Sequence, residues 1–305
     1  MISSFRITRA SLVLLLALSP IAICAQTVAA DDARAKLAEQ SSVYRGWDYL
    51  VERLKKDGMN YQLIQRVYSN KRMPRFTNVT YKLKPRESKN IYRHFTAPKK
   101  LQRAVKYLDK YESTFSHTEK RFGVAPPVVS SILLIETHFG ANTGKELIIN
   151  RLSRLASISD PDNMQHNYQK LKREGQAVTY EQVAERGVYL HEMFYPEVVA
   201  AFQIAEQQGV DLFSMKGSYA GAFGLPQFLP TTYLKYGTDG NSDGKISLFD
   251  DEDAIASIGS FLAGHGWKDT LPLPEKKKVI WHYNHSDAYV DTVLEVADLI
   301  EQKIR

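Results

Sequence analysis

Glu136 is the residue of this sequence best placed to do chemistry, because it is the one acid within the apolar run VVSSILLIETHFG at 128–140. Val129, Ile132, Leu133 and Glu136 recur at i, i+3, i+4 and i+7, and Leu134 with Ile135 makes the other face apolar too. The spacing predicts a helix buried on all sides. Burial disfavours an ionised carboxylate there, and the negative end of the helix dipole near Gly140 pushes the same way. A carboxyl still protonated near neutral pH is what a general acid needs. The competing expectation is structural, with an arginine or backbone donors holding the buried acid.

A second set of residues has the spacing of a metal loop. Asp239, Asn241 and Asp243 stand at positions one, three and five, with Gly244 at six and the Lys245 carbonyl at seven. Ile246 is the apolar residue at eight, Ser247 stands at nine and Asp250 at twelve. This is the order of an EF-hand, where oxygen ligands surround calcium and glycine permits the sharp turn. The last ligand is usually a bidentate Glu, so Asp250 predicts a weaker or reshaped site. Every ligand is committed to the loop, so the ion's role is structural.

The third stretch is MKGSYAGAFGLPQFLPTTYLKY at 215–236. Gly217, Gly221, Gly224, Pro226 and Pro230 predict tight turns, and Ser218, Tyr219 and Gln227 add polar handles and an aromatic face. Such a segment suits a groove for a polyhydroxylated, amide-bearing ligand; close backbone packing is the plainer reason for the glycines. Other chemistries fail on spacing. GANTGK at 140–145 is one residue short of a phosphate loop and is followed by Glu146, and His191-Glu192 lacks the second histidine of a zinc protease.

These residues sit in an ordinary globular composition: 305 residues, 44% hydrophobic and 24% charged, with a net charge of +6. The charge favours an anionic partner, and nucleic acid is disfavoured by the start of the chain. There, Arg6 and Arg9 precede an apolar run at 10–25 too short to span a bilayer, followed by small residues at Ala25, Ala29 and Ala30. We read 1–25 as a secretory signal, with cleavage after Ala25 or as late as Ala30. The only cysteine, Cys24, ends IAIC, a partial lipoprotein signal with Ile23 where a small residue is expected. Membrane attachment would follow only from lipidation there. Cleavage after Ala25 leaves no cysteine and lowers the charge to +4, so packing alone must stabilise the chain.

The elements expected to position the site are helical. Residues 47–56 and 61–69 predict two amphipathic helices split by Asp57-Gly58, and 70–98, with three prolines and FTNVTYKL, predicts an extended arm or short hairpin. Residues 99–122 predict one long helix against the central one, which Pro126 and Pro127 start. Helical pieces continue to residue 208, and Tyr189, Phe194, Tyr195 and Phe202 are expected in the core. The division is 31–98, N-terminal helices and arm, and 99–305, the core with the embedded 239–250 loop.

In order and spacing, ETHFGANTGK, KGSYAGAFGLPQFLPTTY, DGNSDGKISLFD, DAIASIGSFLAGHGW and WHYNHSDAYV closely resemble the lytic murein transglycosylases of the B type. The resemblance runs from Trp47 to the C-terminus and is strongest over 124–140 and 216–290. It implies a mainly α, lysozyme-like catalytic core with an EF-hand-like calcium loop, acting on peptidoglycan glycan strands in the periplasm and without organic cofactor. Cell-wall synthesis or secretion machinery are the further partners it implies. Glu136 matches the single catalytic glutamate, Ser218 and Gln227 match glycan-contacting positions, and Tyr283 with Asn284 match a Tyr-Asn pair. Asp239, Asn241, Asp243, Lys245 and Asp250 match the calcium ligands. Tyr219 replaces another aromatic, Phe261 stands where a groove-lining tyrosine is expected, and 150–208 departs from the pattern. A single acid implies that the substrate supplies the second function, and the resemblance implies that the muramoyl sugar closes on its own C6 hydroxyl, giving a 1,6-anhydro product. A hydrolytic muramidase and a non-catalytic cell-wall binding module are the two competing functions.

Overall fold

The structure, a computed structural model, describes residues 43–83 and 91–305. The signal-like segment, both cleavage points, Cys24 and part of the arm lie outside the described residues. The described residues form twelve helices: α1 (Asp48–Lys56), α2 (Tyr61–Tyr68), α3 (Pro98–Lys110), α4 (Glu112–Phe122), α5 (Pro126–Thr137) and α6 (Ile148–Ala156) come first. They are followed by α7 (Pro161–Arg173), α8 (Tyr180–Gln208), α9 (Pro230–Tyr236), α10 (Asp251–Gly264), α11 (Leu273–Trp281) and α12 (Asp287–Ile304). A 3-10 turn covers Arg93–Thr96. Among the described residues the one sheet is a two-stranded antiparallel pair, β1 (Glu146–Leu147) with β2 (Lys216–Gly217). The arm is therefore extended without forming a hairpin in its described part.

The central helix is buried as its pattern requires. Prolines occupy the first turn of α5, where no amide partner is lost, and every residue from 127 to 135 is buried. Helices α3, α4, α10 and α12 surround it. One apolar cluster continues from Trp47 through this helix to Ile300.

Two expectations need correction. Residues 99–122 form two helices, because Tyr111 leaves helical geometry (φ −114°, ψ 28°) between α3 and α4. Its hydroxyl and that of Tyr107 both donate to Asp251, at 2.7 and 2.6 Å, so contacts with α10 set this break without a glycine or proline. Tyr189 is half exposed, with Arg186 over its ring, while Phe202 is fully buried and Phe194 and Tyr195 pack partly buried against the core.

Candidate active site

Helix α5 ends in a tight reversal that brings Glu136 to the edge of the buried helix. His138 and Phe139 take left-handed backbone conformations (φ 53° and 57°) ahead of Gly140 (φ 76°). Non-glycine residues hold such geometry only where contacts outweigh its cost of about 1–2 kcal/mol each. Here Phe139 stacks on Tyr107 with centroids 4.3 Å apart, and His138 Nε2 lies 3.1 Å from Lys100 Nζ. Thr137 fastens the reversal: its hydroxyl donates to Leu225 O at 2.9 Å and accepts from Gly140 N at 3.0 Å.

The Glu136 carboxyl is surrounded by aromatic groups. Tyr289 on α12 donates its hydroxyl to Oε1 at 2.6 Å. The Tyr289 ring stacks on Tyr283, with centroids 6.2 Å apart, and meets Tyr92 edge-on at 5.7 Å. Among the described residues Oε2 has no hydrogen-bond partner, and it is not among the fully buried unpartnered atoms, so it stays accessible to solvent. Burial pushes the carboxyl up to about 7, opposed only by the Tyr289 hydroxyl, which favours the ionised form. Among the described residues no arginine holds it.

Glu197 is the useful contrast. It is also buried, but its two oxygens accept from Thr231 N at 2.9 Å and Thr231 Oγ1 at 2.6 Å, fixing the start of α9. That is a structural acid with both oxygens used, whereas Glu136 leaves one oxygen without a hydrogen bond among the described residues.

The glycine-rich turn is stitched to the acid helix. Gly144 sits so close to β2 that a Cβ there would stand 2.1 Å from Gly217 O, so only glycine permits the pairing. Gln227, at φ 52°, donates through Nε2 to Thr143 O at 3.2 Å and to Gly224 O at 2.8 Å. Tyr283 donates to Pro226 O at 2.6 Å, which ties its ring to the residue before Gln227. Ser218 accepts from Ala222 N at 3.1 Å within its own turn, and Tyr219 projects 70% exposed with Arg151 over its ring. Asn284 lies partly exposed in the turn between α11 and α12. The structure thus joins Glu136, Tyr283 and the turn bearing Gln227 into one constellation, with Ser218 and Tyr219 on its adjoining strand turn. Phe261 is buried edge-on behind Tyr283, at 4.9 Å, and does not line a groove.

The 239–250 segment folds as a compact loop. Asp239 accepts from the amides of Ser242 (2.6 Å) and Gly244 (2.9 Å), Asn241 from Asp243 N (2.9 Å) and Asp243 from Lys245 N (2.8 Å). Asp250 caps α10 through Glu252 N at 2.9 Å. As the side chains stand, no three carboxylate or imidazole groups among the described residues gather to hold a metal. The spacing also left out Asp253, which is fully buried and closes the loop by accepting from Gly240 N at 2.8 Å and Ser247 N at 2.6 Å.

Tyr289 is the other residue that spacing missed. It lies on the buried face of α12 with Val290, Val293 and Val296, where a hydroxyl must find a partner. A cavity of about 1070 Å³ lies elsewhere: residues 80–83, α7 and α8 line it, including Lys170, Arg186 and Tyr189. It shares no residue with the Glu136 constellation. His191 is buried with Nδ1 on Ala156 O, a packing role.

The sequence model of the Transglycosylase SLT domain family matches residues 42–276. The membrane-bound lytic murein transglycosylase B of Escherichia coli (strain K12) is 29% identical over 173 residues, covering 57% of this chain and 40% of that protein. The chain thus aligns with well under half of that relative's length. The E. coli lytic transglycosylase SLT35 in complex with calcium shares the fold at TM-score 0.62 and 21% identity, over 85% of this chain and 93% of the other. SltB3 from Pseudomonas aeruginosa in complex with NAG-anhNAM-pentapeptide does so at TM-score 0.61 and 19% identity, over 86% and 80%. The mainly helical, lysozyme-like fold expected from the motifs is the one these structures share. Since the family match takes in Glu136, the glycine-rich turn and the acidic loop together, the chain belongs to the Transglycosylase SLT domain family.

Proposed function

We propose that this protein is a lytic transglycosylase that cleaves the β-1,4 bond between N-acetylmuramic acid and N-acetylglucosamine in peptidoglycan without consuming water. The observation that carries the reading is the Glu136 carboxyl, neutral up to about pH 7 through burial, with one oxygen on Tyr289 and no other carboxylate among the groups that shift it. Most glycosidases use two carboxylates, so a single acid favours a route in which the substrate supplies the second function. Glu136 gives its proton to the glycosidic oxygen, and the bond to the muramoyl C1 breaks while the acetamido oxygen stabilises that carbon. The Glu136 carboxylate then takes the proton of the C6 hydroxyl, whose oxygen bonds to C1 and closes the 1,6-anhydro ring. Acid and base are regenerated in one cycle. That SltB3 is known in complex with NAG-anhNAM-pentapeptide and with NAG-NAM-pentapeptide supports a murein glycan as the ligand.

Ser218, Tyr219, Gln227, Tyr283 and Asn284 line the path of the glycan on this reading, and 99–305 is the catalytic unit, with 31–98 as its N-terminal elaboration. Calcium fits the 239–250 loop by donor chemistry: Asp239, Asn241, Asp243, the Lys245 carbonyl and Asp250 are hard oxygen ligands, and Gly244 has the positive φ (85°) of the sharp turn. The calcium complex of SLT35 supports the assignment. Its role is to brace the loop. The signal-like start of the chain supports a periplasmic location, and no described helix is long and apolar enough to cross a membrane.

Digestion of purified sacculi with the protein and its Glu136→Gln variant tests the proposal. Anhydro-ended fragments from the wild type and none from the variant are expected. Reducing ends would assign a hydrolytic muramidase, and intact sacculi would leave a binding module.

A further inference from the structure

We infer that His94, Lys100, Arg103 and His138 form a carboxylate-binding patch beside Glu136 that selects among glycan substrates. The inference rests on the transglycosylase reading for its occupant. His138 follows Glu136 by two residues, and its left-handed backbone turns it onto the start of α3, where Lys100 Nζ stands 3.1 Å from its Nε2. The His94 ring stacks over His138 at 6.4 Å. Two aromatic faces hold the cations: Lys100 Nζ lies 4.4 Å from the Phe95 centroid, and Arg103 Cζ lies 5.9 Å from that of Phe139. A ring face positions a cation without neutralising it.

Among the described residues, none of these four side chains forms an ion pair; the salt bridges all lie elsewhere. Their mutual repulsion registers at His138, whose ring is driven toward the neutral form first by burial and then by Lys100, His94 and Arg103. The Glu136 carboxyl is not the missing partner, because burial and Tyr289 alone set its state. The patch is nevertheless next to it: Tyr92, at the head of the Arg93–Thr96 turn that carries His94 and Phe95, packs edge-on against Tyr289. A gathering of basic nitrogen groups without an acid among the described residues calls for an anion from outside.

On a murein strand the only carboxylates are borne by the muramoyl sugar. They are the lactyl carboxylate of a bare sugar or the carboxylates of an attached peptide stem. Binding of soluble fragments to the turnover-blocked Glu136→Gln protein separates the two sources. The fragments are the GlcNAc-MurNAc disaccharide, its lactyl methyl ester, the disaccharide tetrapeptide and the tetrapeptide with its carboxylates amidated. An about ten-fold or larger preference for a free carboxylate over its blocked counterpart is expected, as for a charge-assisted contact. The pair that shows it identifies the source. Adding Lys100→Gln and Arg103→Gln should erase that ratio, and Lys100→Arg with Arg103→Lys should restore it, which a purely structural role would not do. Equal binding of free and blocked fragments, no binding of any fragment, or a ratio that survives the double substitution overturns the inference. Digestion of sacculi by the wild type is run alongside. Cutting without carboxylate preference removes the patch and leaves the transglycosylase reading; carboxylate preference without cutting does the reverse.

Discussion

The hydroxyl of Tyr289 donates to Oε1 of Glu136 at 2.6 Å, across 153 positions of sequence. Burial raises the carboxyl to about 7 and this bond restrains the rise, so Tyr289 tunes the acid as well as orienting it. Removing the hydroxyl with Tyr289→Phe should raise Glu136 further. The base form that the proposed ring closure needs then appears only at higher pH, so the pH–rate profile should move upward and turnover at pH 7 fall roughly ten-fold. A profile that superposes on the wild type would show the bond to be incidental.

Glu136 also ties stability to pH. Its carboxyl is raised from an ordinary 4.5 to about 7, so the folded protein keeps a proton that the unfolded chain has already released. The sign follows: the folded state is unpenalised below about 4.5, and stability is lost as pH rises through the window up to about 7. At about 1.4 kcal/mol per pH unit, the loss reaches roughly 3 kcal/mol. Glu136→Gln should therefore be more stable than wild type by up to about 3 kcal/mol at pH 8 and nearly equal to it at pH 4. Urea unfolding at both pH values checks this.

Calcium should stabilise the protein in proportion to occupancy. At a hundred-fold excess over Kd, linkage adds about 2.7 kcal/mol, visible as a rise in Tm. Asp239→Asn together with Asp243→Asn removes two of the loop's negative charges and should flatten that response, while Asp253, which spans Gly240 and Ser247, keeps the empty loop closed. Equal Tm gains in wild type and double variant would remove calcium from residues 239–250.

Gly144→Ala is expected to be damaging despite its distance in sequence from Glu136. The new methyl would stand 2.1 Å from Gly217 O, at a backbone φ of 91° that alanine resists. Loss of about 2 kcal/mol or more is expected, with Ser218 and Tyr219 displaced along with β2. Thermal unfolding and fragment binding measured on the same preparation check both halves.

The parts of this molecule that sequence revealed are those whose information is local. Glu136 stood out because one acid interrupted a run of apolar residues, and the 239–250 loop because oxygen donors alternate with fixed spacing. Tyr289 did not, since its partner lies on α5 and its position on α12 matches an ordinary core face. The division of residues 99–122 at Tyr111 was equally hidden, because contacts with Asp251 set that break. Asp253 escaped for a related reason: it belongs by sequence to a helix and by hydrogen bonding to a loop. Tyr189 read as core because an aromatic at helical spacing says nothing of which face of α8 is covered.

Leu225 donates its amide to Leu248 O at 2.7 Å and accepts at its carbonyl from the Thr137 hydroxyl. These two bonds make Leu225 a single-residue bridge between the acidic loop and the helix that carries the acid. On the proposed mechanism, any ion that stiffens residues 239–250 restricts the recoil open to Glu136 as its proton leaves and returns. Metal occupancy would then be felt in the rate of the proton relay and hardly at all in how tightly the sugar chain is held.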